Sequence, residues 1–96
     1  MVHAENGQLI DFNVERLLKK GITGPEGHYY ARLGEVDTVA THTAIAIACT
    51  INTPLYVVHV MKRAAAEEML KAKSKGYVVY GEALALGLSN DASGFF

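Results

Sequence analysis

Tryptophan is absent from this sequence of 96 residues, cysteine occurs once and proline twice. A single cysteine excludes an internal disulfide framework, and Cys49, set in the apolar string AIAIAC, is the kind of thiol that packs as a small hydrophobe. An excess of one charge is missing too: nine Lys and Arg stand against ten Asp and Glu, and the only cluster is the alternating Lys71, Lys73 and Lys75. That balance lacks the basic footprint of a nucleic-acid partner. No apolar run reaches the roughly 18 residues that mark a membrane span. The opening MVHAENGQ has no basic start followed by an apolar core, so no secretory signal and no membrane partner are expected, and the expected setting is cytoplasmic.

What is present is globular. Half of the residues are hydrophobic and 20% are charged, the balance of a soluble domain. The expectation is one domain over 1–96, with a thin core, because a chain of this size buries only somewhat more than about 60% of the surface it exposes unfolded.

The apolar spacing predicts an α/β order. QLIDFNVERLLKK, residues 8–20, places Ile10, Val14, Leu17 and Leu18 on one helical stripe, with Asn6 as its N-cap and Gly21 at the left-handed position that ends it. GITGPEGHYYARLG, with four Gly and a Pro, predicts an ordered loop of several turns. A second helix is expected over Glu35 to Thr50, with Val36, Ala40, Thr43 and Ile47 on one face. Leu55 to Val60 predicts a strand buried on both faces, as in a parallel sheet. A helix over about Lys62 to Lys75 follows, with Glu67 and Lys71 paired at i, i+4 and Gly76 closing it. YVVYGEAL, from Tyr77, reads as another strand, and MVHAE as the tail of an earlier one. Strands joined through helices make βαβ units. The open edges of so small a parallel sheet, and the Gly/Ser-rich tail LGLSNDASGFF ending in two aromatics, suggest a piece of a larger sheet or barrel.

His3 and His59 each fall at or near the C-terminal end of a strand, the edge where α/β folds collect ligands and catalytic groups. They are too far apart in sequence for a local metal motif, but they suit equivalent positions on neighbouring strands. Two neutral imidazoles in one mouth could share zinc, which takes nitrogen ligands and leaves a position open for water. The alternative reading of His59 is a core histidine hydrogen-bonded to backbone. His28 is expected to order a turn and His42 to lie on a solvated helix face. Glu5 and Glu82, each just after a strand, are candidate carboxylate partners for a ligating His. GITGPEG lacks the Lys-Ser/Thr and the preceding strand of a phosphate loop.

Taken in order, VHAENGQLI, GITGPEGH, PLYVVHVM followed by AAAEEMLKAKSKG, and VVYGEALALGLSNDASGFF resemble the dihydropyrimidinase and hydantoinase family of cyclic amidohydrolases over essentially the whole sequence. The resemblance implies a partial (β/α)8 TIM-barrel segment, about strands five to seven, with parallel strands and flanking helices. It implies a parent enzyme that hydrolyses cyclic amide or imide rings with two zinc ions, dihydrouracil to ureidopropionate in pyrimidine catabolism, and that assembles as a homotetramer. By that resemblance His3 and His59 are zinc ligands from consecutive strands. The family's HxH pair, bridging carboxylated lysine and final Asp ligand match nothing in these residues, so the 96 residues alone are expected to be inactive and contain no assigned catalytic residue. Departures from the family pattern are Gln8 for the Asp of ENGD, VMKRAAAE for VMSKSAAE and SNDASGFF for TDGTHYW.

Two rivals belong to other classes. One is a non-enzymatic scaffold such as the collapsin response mediator proteins, which carry TKVM where this sequence keeps His59. The other is a small stand-alone α/β binding domain.

Overall fold

The apolar runs do pair in parallel. A computed structural model of the protein describes residues 1–33 and 35–85, in the order β1 (Val2–His3), α1 (Gly7–Lys19), α2 (Glu26–Ala31), α3 (Val36–Thr50), β2 (Leu55–Val58), α4 (Arg63–Ser74) and β3 (Val79–Gly81). The three strands form one sheet, ordered β1-β2-β3, with Val2 opposite Val57 and Leu55 opposite Val79. The SNDASGFF segment lies outside the described residues.

The helix ends follow local chemistry. The Asn6 side chain accepts the Leu9 N–H at 2.9 Å, satisfying one of the donors that a helix start leaves without a partner. At the other end of α1, Gly21 takes φ 79°, and the N–H groups of Gly21 and Ile22 bond back to Leu18 and Leu17 at 3.0 Å each. Helices α3 and α4 end with the same pair of reversed bonds. Asn52 and Gly76 hold the left-handed position there, at φ 52° and 87°, as the Schellman pattern requires.

Two expectations change. The loop after Gly21 contains α2, since Pro25, at φ −58°, is already shaped for a helix start, where its missing N–H costs nothing. Glu26 in the first turn complements the helix dipole. On α3 the buried residues are Val36, Thr41 and Ala48, while Thr43 is exposed and Ile47 is 58% exposed. The sequence VDTVATHTAIAIACT is apolar or small on every side, so its periodicity carries little information about which side turns inward.

The core lies between the sheet and helices α3 and α4. Leu55, Val57 and Val79 meet Ala4, Ala48, Met69 and Ala72, with Val2, Ala40, Ala44, Ile45 and Val60 packed around them. Alanines on α3 and α4 let these helices approach the strands closely. Gly81 serves the same end, since a Cβ there would come within 3.0 Å of Met69 Sδ and Val60 Cγ2. β2 is buried as its composition predicts, with only Tyr56 half-buried. The pairing of Glu67 falls to Arg63 at 2.9 Å, and Lys71 reaches Glu68 at 3.2 Å.

Candidate functional site

At the C-terminal end of the sheet, His3 Nδ1 and His59 Nε2 lie 2.8 Å apart, with ring centroids 4.8 Å apart. His3 closes β1 and His59 follows β2, so parallel pairing alone brings the two close. In such a contact one ring donates its N–H and the other accepts, so their tautomers are complementary. The His59 side chain is 25% exposed, and His3 lies at the surface.

Proximity does not explain how His59 comes to face His3. Val2 and Val57, register partners, both belong to the helix-covered core, so His3 and its partner Val58 point to the other face. A regular strand would aim His59 the same way as Val57, into the helices. The ladder shows what prevents this. Glu82 donates its N–H to Val57 O at 3.1 Å but accepts from Val60 at 2.7 Å, where a regular parallel ladder would use residue 59. One extra residue is therefore accommodated, a β-bulge, which bends a strand and re-aims a side chain. His59 carries the distortion, with φ 41°, a conformation sparsely populated by residues other than glycine. Beyond the bulge the alternation is reset, and Val60 returns to the core. For this reason β2 ends at Val58, two residues before the expected end.

Four charged side chains stand around the pair. Glu5, just beyond β1, places Oε1 3.8 Å from His59 Nε2 and accepts a 3.0 Å hydrogen bond from Arg32 Nε through Oε2. Arg32 caps the end of α2 and also donates through Nη1 to the His28 carbonyl at 3.4 Å. Lys62, at the start of α4, donates to the Arg32 carbonyl and lies 3.7 Å from Asp37 Oδ2. Burial pushes the Asp37 carboxyl above the usual carboxylate range, against the pull of Lys62. A backbone bond from Asn6 N to Val36 O at 3.1 Å ties the loop after β1 to the start of α3.

Of the two expected carboxylate partners, only Glu5 approaches a histidine. Glu82 instead accepts the Tyr56 hydroxyl at 2.6 Å, which raises the Tyr56 pKa. His42 is on an exposed helix face as expected, 3.0 Å from Glu68, and His28 is part of α2. Arg32, Asp37 and Lys62 gave no signal in the sequence, because they meet only when three loops converge. The one available hint was the position of Lys62, directly after the second histidine strand.

The donor set can be tested against zinc. Two imidazole nitrogens on one tetrahedral zinc, at about 2.0–2.1 Å each, stand about 3.3 Å apart, a small opening from the observed 2.8 Å contact. The pair fits in type and spacing. Among the described residues, no group of three or more His, Cys, Asp or Glu is gathered to hold an ion, so a site built on this pair needs further ligands.

No family model matches the chain. It is 50% identical over 95 residues to a dihydropyrimidinase of Rattus norvegicus, covering 99% of this chain and 18% of the relative. It is 48% identical, with the same coverage, to dihydropyrimidinase 2 of Caenorhabditis elegans. A D-hydantoinase from Bacillus sp. AR9 superposes with a TM-score of 0.92 at 40% identity, over 96% of this chain and 20% of that one. The chain thus spans less than a fifth of the length of these curated relatives.

Proposed function

We propose, on the premise that this chain is a relative of dihydropyrimidinases and D-hydantoinases along nearly its whole length, that residues 1–96 form one segment of a metal-dependent cyclic amidohydrolase with a (β/α)8 barrel. The reaction is hydrolytic opening of a cyclic amide or imide, dihydrouracil-like rings to ureido acids in pyrimidine breakdown. Family resemblance extends the proposal to a cytoplasmic homotetramer. The observation that carries it is the His3–His59 contact at 2.8 Å, made across neighbouring parallel strands by a bulge that turns His59 away from the core.

In this reading His3 Nδ1 and His59 Nε2 are two ligands of a binuclear zinc site whose remaining ligands come from other strands. Zinc, when bound, supplies Lewis acidity toward the ring carbonyl and makes a water nucleophilic near neutral pH. The protein's own part is to hold both imidazoles aimed together at the strand ends. Addition of water to the carbonyl and breakage of its C–N bond then leave a carboxylate and a free ureido nitrogen that has gained a proton.

The test is hydrolysis of dihydrouracil by a longer chain that carries these residues together with the rest of the barrel. Zinc-dependent turnover is expected there, and His59→Asn is expected to lower it by more than about 100-fold, beyond the usual effect of altering a group behind a ligand. The 96 residues alone are expected to show no turnover with zinc added. Unchanged turnover in the longer His59→Asn chain would sink the ligand assignment, and no turnover in the longer chain without the substitution would favour a scaffold role.

A further inference from the structure

We infer that Arg32 is a positioning residue for the histidine pair, acting through Glu5; the inference rests on the metal-site reading above. His59 sits in a backbone conformation that costs on the order of 1–3 kcal/mol and persists only where its surroundings over-determine it. Among the described residues, its ring lies 2.8 Å from His3 and 3.8 Å from Glu5. Glu5 lies in the loop between β1 and α1, and its second oxygen is held by Arg32 Nε at 3.0 Å. Arg32 is itself fixed by its bond to the His28 carbonyl.

The line of contacts runs from the end of α2 through the Glu5 carboxylate, held by Arg32 on one oxygen, to the side of the His59 ring, which the other oxygen approaches to 3.8 Å without a hydrogen bond. Both Arg32 and Glu5 are about one-third exposed, so the ion pair contributes little to stability. Its effect is directional. The guanidinium holds one Glu5 oxygen through Nε and the His28 carbonyl through Nη1, which narrows the directions open to the other Glu5 oxygen. α2, which the Gly-rich sequence concealed, therefore has a task at the site through Arg32 at its end.

The experiment uses the 96-residue protein with labelled histidines. The first readout is the nuclear Overhauser effect between the His3 and His59 rings, and the second is the visible spectrum and affinity of added Co2+. Arg32→Met is expected to abolish the ring–ring signal and to weaken histidine-dependent Co2+ binding by about 10-fold or more. Arg32→Lys, which can still reach Glu5 as a point charge, is expected to recover part of both. Glu5→Gln is expected to repeat the Arg32→Met result, and it decides the matter if Arg32→Met fails to fold. Lys62→Met, which leaves the Glu5–Arg32 bond in place, is expected to keep the ring–ring signal. A ring–ring signal unchanged in folded Arg32→Met or Glu5→Gln, or lost equally in Lys62→Met, would overturn the inference. Failure of the metal reading looks different: Co2+ binding would then be the same in His59→Asn as in the parent, whatever the rings do.

Discussion

The helix-covered side of the sheet and its C-terminal rim are built in opposite ways. The covered side is Ala4, Ala48, Leu55, Val57, Met69, Ala72 and Val79, residues whose attraction is non-directional and scales with buried area. The rim is His3, Glu5, Arg32, Asp37, His59 and Lys62, joined by directed contacts, with a backbone strained at His59. Stability therefore resides on one side and geometry at the other. The core fixes where the loops emerge, and the rim residues then settle how two rings face each other.

Substitutions that separate the two properties probe this contrast. Met69→Ala removes a side chain only 7% exposed from between α4 and Gly81. It is expected to cost about 2–5 kcal/mol, much of what so small a domain has. A urea midpoint that hardly moved would show that the seam between α4 and β3 is not where stability lies. Asn6→Ala removes the cap of α1 and is expected to cost about 1 kcal/mol, read as a lower melting temperature with the ring–ring contact retained.

His59→Gly sharpens the contrast by reversing the sign. Release of the left-handed strain is worth about 1–2 kcal/mol, and glycine's extra freedom when unfolded returns about 0.5–1 kcal/mol of it. A small net stabilisation is expected, together with loss of any histidine-dependent metal binding. A clear drop in melting temperature would mean that His59 holds the rim together rather than being held by it.

The smallest effect belongs to the exposed face of α3 and α4. Hydrogen bonds from His42 and then Lys71 keep the Glu68 carboxyl below its ordinary range. As pH falls, the unfolded chain takes up this proton first. The stabilisation is complete above the unfolded pKa and is lost as pH drops through the lower folded one. Glu68→Gln should therefore flatten slightly the fall in melting temperature between neutral pH and about pH 3. An unchanged slope would remove that contact from the stability account.

The sequence makes the covered side legible and the rim only partly so. β2 and α4 are read from apolar runs and caps because burial repeats along the chain with a fixed period. α3 is read as a helix, but of its expected face Val36 and Ala40 turn inward while Thr43 and Ile47 do not, since small and apolar residues surround its axis. α2 is missed because GITGPEG resembles a series of turns, although Pro25 and Glu26 are a workable helix start. At the rim, His3 and His59 stand out by their place at strand ends. Arg32, Asp37 and Lys62 do not, because no local pattern announces residues that meet through tertiary structure. Glu82, expected beside a histidine, is taken up by Tyr56, whose hydroxyl emerges from the strand next to it.

The bulge gives strand β2 something like a reading frame. Residues are read in twos up to Val58, one position is then inserted, and Val60 resumes the phase of Val57. Loss of a single residue inside a strand usually exchanges its two faces, but removing His59 alone would do the reverse. Val60 would stay bonded to Glu82 and packed in the core, the ladder would become regular, and the sheet would close over the gap. The site is thus carried by one supernumerary residue, held between two stretches of ordinary scaffold.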